Sequence, residues 1–315
     1  MSKLPTPLRI GTRASKLALR QAALVQQALL EADPALAVPG RIEIVPLQSA
    51  GDWKHGQQER SFAMMGVNKG LFARELEQAL HEKQIDLAVH SAKDLETTLA
   101  PGLVLSAFLP RGDVRDAFIC AGAAHPRDLP EGARVGTASL RRAVQLLHMR
   151  PDLVISPLRG NVDTRLRKVQ EGQVDATLLA LCGLQRLEIP ASQYHALPTA
   201  DILPAVAQAA IAVESREKDA ALLAVLAKIN CPLTAQCVTL ERLFLHHLNG
   251  SCHTPVAALA TRRDDGRIDF TALIAQPNGE NRTVRQLTLT AGGGAGQVAA
   301  LGEELRALLP AGLFI

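Results

Sequence analysis

A chain of 315 residues is long enough for two or three domains, because a single hydrophobic core stops growing near this size. With 47% hydrophobic and 21% charged residues it reads as a soluble globular protein, and a net charge of +3 gives no reason to expect nucleic acid or an anionic membrane as partner. Aromatic residues make up 3%, too few for the stacking surfaces of single-strand binders, and no apolar run approaches a membrane span.

Leu8 to Gly11 reads as a short strand that runs into Thr12-Arg13-Ala14-Ser15. An amphipathic helix follows from Lys16 to about Ala32, with Ser15 as N-cap. An arginine beside a capped helix start suits a carboxylate, since the free backbone N–H groups and the helix dipole both favour an anion. Arg41 to Leu47 alternates like a strand. Ser49 to Gly70 is polar and poorly periodic, which makes it a candidate lid. A helix is expected from Lys69 to about Glu82, and Ile85 to Val89 reads as a buried strand.

That strand ends in Val89-His90-Ser91-Ala92-Lys93-Asp94-Leu95. A hydroxyl, an ammonium and a carboxylate at the open end of a buried strand sit where α/β folds keep their chemistry. By itself the stretch is equally readable as a charged turn. A strand at Val104 to Phe108 is expected to complete a βαβαβ-like first unit.

Strands are then predicted at Ala117 to Cys120, Arg134 to Gly136, Val154 to Leu158 and Ala176 to Ala180. Helices are predicted up to Met149 and after Asn161. The motif repeats: buried strand, small-residue turn, arginine, helix start. Arg13, Arg141, Arg142, Arg159, Arg165 and Arg186 all lie at or near such ends. Several of them together imply a ligand with several carboxylates or phosphates, because a guanidinium binds these bidentately and keeps its charge. No Walker or GxGxxG element supports a nucleotide. Pro204 to Val213 returns the chain as a strand or a helix start, and a helix runs on to about Ile229. Beyond Cys231 come a helix at Leu240 to Leu248, three strand-like runs and a last helix at Val298 to Leu309, a small α+β unit.

Five cysteines (Cys120, Cys182, Cys231, Cys237, Cys252) contain no CxxC pair, and the N-terminus has no apolar signal core. Reduced thiols and a cytoplasmic location are the expectation. The spacing of these cysteines with His246, His247 and His253 matches no zinc pattern, so no metal is expected.

Laid side by side, these stretches resemble the porphobilinogen deaminase (hydroxymethylbilane synthase) family. The likeness rests on RIGTRASKLALRQA (Arg9 to Ala22), NKGLF (Asn68 to Phe72), DLAVHSAKDL (Asp86 to Leu95), RDAF (Arg115 to Phe118), GTASLRR (Gly136 to Arg142), PLRGNVDTRL (Pro157 to Leu166), LALCGLQRL, LPAVAQAA and the cysteine of GSCHTPVA, in order along nearly the whole chain.

The resemblance implies an α/β fold with two type II periplasmic-binding-protein-like domains, a cleft between them, and a small C-terminal α+β domain. The expected bounds are 1–109 with 210–229, then 110–209, then 230–315. It implies a monomeric transferase of tetrapyrrole and heme synthesis. Four porphobilinogen molecules would be polymerised on a covalent dipyrromethane primer, and hydroxymethylbilane released. By resemblance Asp94 is catalytic and Cys252 carries the primer through a thioether. Arg13, Ser15, Lys69, Ser91, Lys93, Thr137, Ser139, Arg141, Arg142, Arg159, Asn161, Arg165, Arg186 and Gln208 bind primer or substrate. A small-anion binding protein without chemistry, or a relative that has lost turnover, remain the alternatives.

The chain departs from the family pattern in places. Ala92 replaces Met, Leu95-Glu96 replaces Val-Pro, and Val67-Asn68-Lys69 stands for Gly-Gly-Lys. Gly250-Ser251-Cys252-His253 replaces a Gly-Gly-Cys-Gln-like loop, and Ala207 and Ala209 replace glycines. Alanine at those two positions is expected to stiffen the crossing or to exclude positive φ.

Overall fold

The structure is a computed structural model. It describes residues 4–47, 70–250, 254–276, 278–290 and 293–309, with backbone alone at 70–72. In chain order the elements are β1 (Leu8–Arg13), α1 (Lys16–Ala32), β2 (Ile42–Leu47), α2 (Gly70–His81), β3 (Leu87–Ser91), β4 (Leu103–Phe108) and β5 (Asp116–Cys120). Then come β6 (Arg134–Gly136), α3 (Leu140–Met149), β7 (Val154–Ser156), α4 (Val162–Gln170), β8 (Ala176–Ala180), α5 (Leu181–Arg186) and β9 (His195–Ala196). The chain closes with β10 (Ile211–Arg216), α6 (Ala220–Ile229), α7 (Pro232–His247), β11 (Val256–Arg262), β12 (Ile268–Ile274), β13 (Thr283–Leu289) and α8 (Ala295–Ala307). It packs as two units: residues up to 110 with 210–235, and 111–209 with the rest.

The first unit is a five-stranded sheet in the order β2-β1-β3-β10-β4. β1 runs parallel to β2 and β3, while β10 is antiparallel to both β3 and β4. The expected βαβαβ run is therefore interrupted: a strand from about a hundred residues later inserts between β3 and β4. No periodicity in the early sequence reports that insertion. Alternation along β1 and β3 sends Leu8, Ile10, Leu87 and Val89 to one face, where they meet Val25 and Leu29 of α1 and Leu222 and Leu226 of α6. Ala88 faces the other way, against Leu76, Ala79 and Leu80 of α2. Each buried aliphatic side chain contributes about 1.5–3 kcal/mol. Gly11 is needed here because a Cβ on it would run into the Ile85 side chain.

The second unit holds another mixed sheet, β7-β6-β8-β5-β9. Phe118 and Leu178 pack on Val135 and Leu146 on one face, and Ala117, Ile119 and Leu179 pack on Leu166 and Leu184 on the other. The same unit carries the antiparallel meander β11-β12-β13. Phe244 of α7 meets Phe270 of β12 edge to face at 5.7 Å, and α8 buries Val298, Leu301 and Leu305. The architecture is the α/β one implied by resemblance: two five-stranded mixed sheets with helices, and a small three-stranded antiparallel sheet with α7 and α8.

Two boundaries differ from expectation. The helix expected from Leu240 begins at Pro232, where proline fits the first helical turn. The return segment before β10 is neither strand nor helix but turns. Ala207 and Ala209 sit there at φ 59° and 72°, so alanine does not exclude the left-handed conformation. The segment is held open by other bonds: Arg111 Nε donates to Gln208 O (2.9 Å) and Arg186 Nη2 donates to Ala209 O (2.6 Å).

Candidate active site

In the first unit the chemistry gathers at the carboxyl ends of β1 and β3, which are neighbouring parallel strands. β3 is buried from Leu87 to His90 and turns at Ala92–Asp94 into a single 3-10 turn. Ala92 and Leu95 are buried, and Ala92 N donates to Ala210 O (3.0 Å). Those anchors leave the intervening Lys93 and Asp94 half-buried at the carboxyl end of β3. Ser91 is fixed from α1: Gln21 Nε2 donates to Ser91 Oγ (2.9 Å), and the hydroxyl donates back to Gln21 Oε1 (3.1 Å). Gln21 is buried, and no expectation from sequence included it; only its place in the quoted RIGTRASKLALRQA stretch marked it. Arg13 closes β1, half-buried, and Ser15 Oγ accepts from Ala18 N (3.3 Å) as the N-cap of α1. Glu96, the unexpected second carboxylate, is exposed.

In the second unit Thr137 and Ser139 lead into α3. Ser139 N donates to Thr137 Oγ1 (3.1 Å), and Ser139 Oγ accepts from Arg142 N (3.5 Å). Arg141 and Arg142 are buried and meet the fully buried Asp116. Arg142 Nε and Nη2 reach its two oxygens at 3.2 and 2.9 Å, and Arg141 Nη2 reaches one at 2.8 Å. Burial alone would push the Asp116 carboxyl up; the two guanidinium charges outweigh this and hold it far below the usual carboxylate range. Gln208, fully buried, donates to Asp116 Oδ1 (2.9 Å) and to Val114 O (2.8 Å).

Four residues thus close a network of which sequence reasoning named three. Asp116 was visible only inside the quoted RDAF stretch. Arg141, Arg142 and Gln208 spend much of their donor capacity on that carboxylate and on the backbone. Arg141 Nε is left buried with no hydrogen-bond partner among the described residues.

Arg159 is exposed after β7, and Asn161 Oδ1 accepts from Thr164 N (2.9 Å) as the N-cap of α4. Arg165 Nε donates to Gly160 O (2.8 Å). Arg186 is half-buried, and burial lowers its affinity for the proton, though a guanidinium stays charged. The donor set of this unit is arginines plus two capped helix starts, chemistry that fits a group rich in carboxylates. Lys69, Cys252 and the 49–69 part of the candidate lid lie outside the described residues.

The chain matches two family models. Residues 8–224 match "Porphobilinogen deaminase, dipyromethane cofactor binding domain", and residues 235–310 match "Porphobilinogen deaminase, C-terminal domain". Among curated relatives, the porphobilinogen deaminase of Nitrobacter winogradskyi is 46% identical over 297 residues, 94% of this chain and 90% of the relative. That of Paracoccus denitrificans is 43% identical over 317 residues, covering 100% and 99%. Among solved structures, a periplasmic substrate-binding protein of an ABC transporter from Coxiella burnetii superposes at a TM-score of 0.41 with 15% identity, over 73% of this chain and 94% of that one. The two family models together cover nearly the full length, in the order in which the motifs occur, and the chain belongs to the porphobilinogen deaminase family.

Proposed function

We propose that Asp94 is the catalytic carboxylate of this chain, that Cys252 carries the dipyrromethane primer through a thioether, and that the strand-end arginines hold the carboxylates of primer and substrate. The reaction is that of the family: four porphobilinogen molecules are joined head to tail with loss of ammonia, and hydrolysis gives hydroxymethylbilane. The observation that carries the residue assignment is the Ala92–Asp94 turn, which sets a half-buried carboxylate between two buried anchors at the end of β3.

When bound, the primer supplies a nucleophilic pyrrole carbon on which the chain grows. The protein's own residues supply charge and position. Porphobilinogen carries an acetate and a propionate, so a growing chain is a ladder of carboxylates. Arg13 and Lys93 with the α1 N-terminus in one unit, and Arg141, Arg142, Arg159, Arg165 and Arg186 in the other, are the groups that match it. Ser15, Ser91, Thr137, Ser139, Asn161, Lys69 and Gln208 support those contacts, several by capping a helix or by holding an arginine. Positive charge develops on a pyrrole nitrogen as ammonia leaves. Asp94, ionised, stabilises that charge and moves the proton. Help of this kind is worth about 10²–10⁴-fold, and electrostatic stabilisation adds to it.

We also read the protein as a cytoplasmic monomer without nucleic-acid or membrane partners. The near-balanced charge and the unpaired cysteine spacing support that reading. Light scattering on the purified protein tests the oligomeric state.

Intact-mass measurement is the sharpest test of the site. The wild type expressed in a porphobilinogen-competent host should carry a dipyrromethane increment, and Cys252→Ser should not. Asp94→Asn should keep the increment and lose turnover. An unmodified wild-type chain would refute the primer site, and would favour a binding protein without chemistry. A modified chain unable to consume porphobilinogen would mark a relative that has lost turnover.

A further inference from the structure

His90 and Glu214 form an acid–base pair buried behind the Ser91–Asp94 turn, and the proposed mechanism does not use it. His90 Nε2 lies 2.9 Å from Glu214 Oε2, with side-chain exposures of 7% and 0%. The two strands are antiparallel neighbours, with His90 opposite Ala212 and Ala88 opposite Glu214, so the pair is a diagonal contact on one face of the sheet. That face is the one covered by α2, because Ala88 packs there while Leu87 and Val89 pack on the opposite side. The pairing of β10 with β4 slips between Val213 and Glu214, an irregularity of the kind that re-aims a side chain.

Two features make this more than a filled corner. Glu214 Oε1 is buried with no hydrogen-bond partner among the described residues. A buried oxygen left unsatisfied costs about 1–3 kcal/mol. Such exceptions call for a reason. Second, α2 brings Glu77 to the same spot. Burial pushes the Glu77 carboxyl up, and the Glu214 charge pushes it further; the Ala100 N–H, His90 and Arg74 pull the other way and do not prevail. Among the described residues, the charged groups that act on Glu77 are Glu214 of β10, His90 of β3 and Arg74 of α2 itself. β4 carries no ionisable residue, and Arg9 and Arg216 are engaged by Asp86 at the far end of the sheet.

β3 is therefore held from both faces just before it turns. Gln21 of α1 clamps Ser91 on one side, and Glu214 of β10 clamps His90 on the other. We infer that His90 and Glu214 are positioning residues for the family's reaction: a buried hydrogen-bonded pair that fixes the carboxyl end of β3, and through it the placement of Asp94. A carboxyl group buried to this degree needs a hydrogen-bond partner, which the His90 ring supplies, and Glu77 is the second carboxyl group brought to the same face. The inference rests on the catalytic reading of Asp94. Displacements of well under an ångström at a catalytic group suffice to slow an enzyme, which is why a group that never touches substrate can act on turnover.

The test is the dependence of kcat and KM for porphobilinogen on pH, from roughly pH 5 to 9, where imidazoles and raised carboxyls titrate. Wild type, E214Q, E77Q and the double variant are compared as primer-loaded protein, with intact mass and melting curves on each. E214Q keeps a hydrogen-bonding group and loses the charge. It should lower kcat about tenfold with KM within about twofold, the signature of a lost transition-state interaction. E77Q should move the acid limb in the wild-type background and not in the E214Q background, because Glu77 acts through the Glu214 charge. H90N, which keeps a side-chain N–H donor without the imidazole, carries the same kcat expectation and serves if E214Q fails to fold. Wild-type kcat and acid limb in E214Q would overturn the inference. So would a uniform loss at every pH alongside a lower melting temperature, with the E77Q shift intact, since that is a structural role only. If D94N keeps turnover while E214Q loses it, the Asp94 reading falls and takes the target named for the pair with it. If D94N is inactive and E214Q is normal, the positioning role alone falls.

Discussion

Arg111 and Glu241 meet as a two-pronged fork, Nη1 to Oε1 at 2.7 Å and Nη2 to Oε2 at 2.9 Å, with Glu241 wholly buried. The same carboxylate accepts from Ala207 N (2.6 Å) and Ala260 N (2.8 Å). One side chain of α7 thus ties together the segment entering the second unit, the segment leaving it and the first strand of the small sheet. Removing it takes the carboxylate from a half-buried guanidinium and leaves two backbone N–H groups without this acceptor. Glu241→Ala should cost about 3–5 kcal/mol. Thermal melting of the purified variant checks this; a melting temperature within a degree or so of wild type would refute it.

Asp116 predicts an acid response. Its carboxyl titrates far below the usual range in the folded protein because Arg141 and Arg142 outweigh the effect of burial. A folded-state value below the unfolded one contributes stability that is fully present above the unfolded value, about 3.9. That contribution is lost as pH falls below it toward the folded value. Urea midpoints should therefore drop steeply below roughly pH 4. Asp116→Asn should be weaker at neutral pH and flatter across that window. Equal slopes for the two proteins would show that Asp116 does not carry the effect.

Ala207 and Ala209 hold positive φ without being glycine. A left-handed L-residue costs about 1–2 kcal/mol, while glycine loses about 0.5–1 kcal/mol more chain entropy on folding. The two nearly offset, with relief of strain slightly ahead. Ala209→Gly should leave the melting temperature equal or up to about 3 °C higher. Ala22→Gly, inside α1, should lower it instead. A clear fall for Ala209→Gly would contradict the strain argument.

Ser15 has two roles to separate. As N-cap it accepts from Ala18 N, and Ser15→Ala should cost about 0.5–2 kcal/mol. Ser15→Asp restores a capping oxygen but adds negative charge two residues from Arg13. If Ser15 also helps bind substrate carboxylate, Ser15→Asp recovers the melting temperature and still raises KM for porphobilinogen. Recovery of both would leave only the capping role.

Much of the molecule was legible in the chain. Alternation marked β2, a buried apolar run marked β3, and a serine before an apolar-periodic run marked the start of α1, because strand and helix periods and cap chemistry are local properties. The motif string around Asp94 pointed to its strand end. What stayed hidden depended on partners far apart in sequence. Asp116 lay inside a quoted motif without a role until Arg141, Arg142 and Gln208 closed around it. Glu96 stands where the family pattern has no charge, and the structure leaves it exposed. The alanines of the return segment looked incompatible with positive φ and adopt it.

Local pattern and motif order, taken without coordinates, determined the family, most elements and the candidate residues, since those are encoded within a few turns of chain. Only the tertiary structure decided that β10 enters the first sheet between β3 and β4, and with that which groups flank the strand that leads to Asp94. Glu214 reaches His90 across 124 positions. No local rule encodes such a meeting, because burying a polar pair there depends on packing, and packing exists only once the sheet is complete.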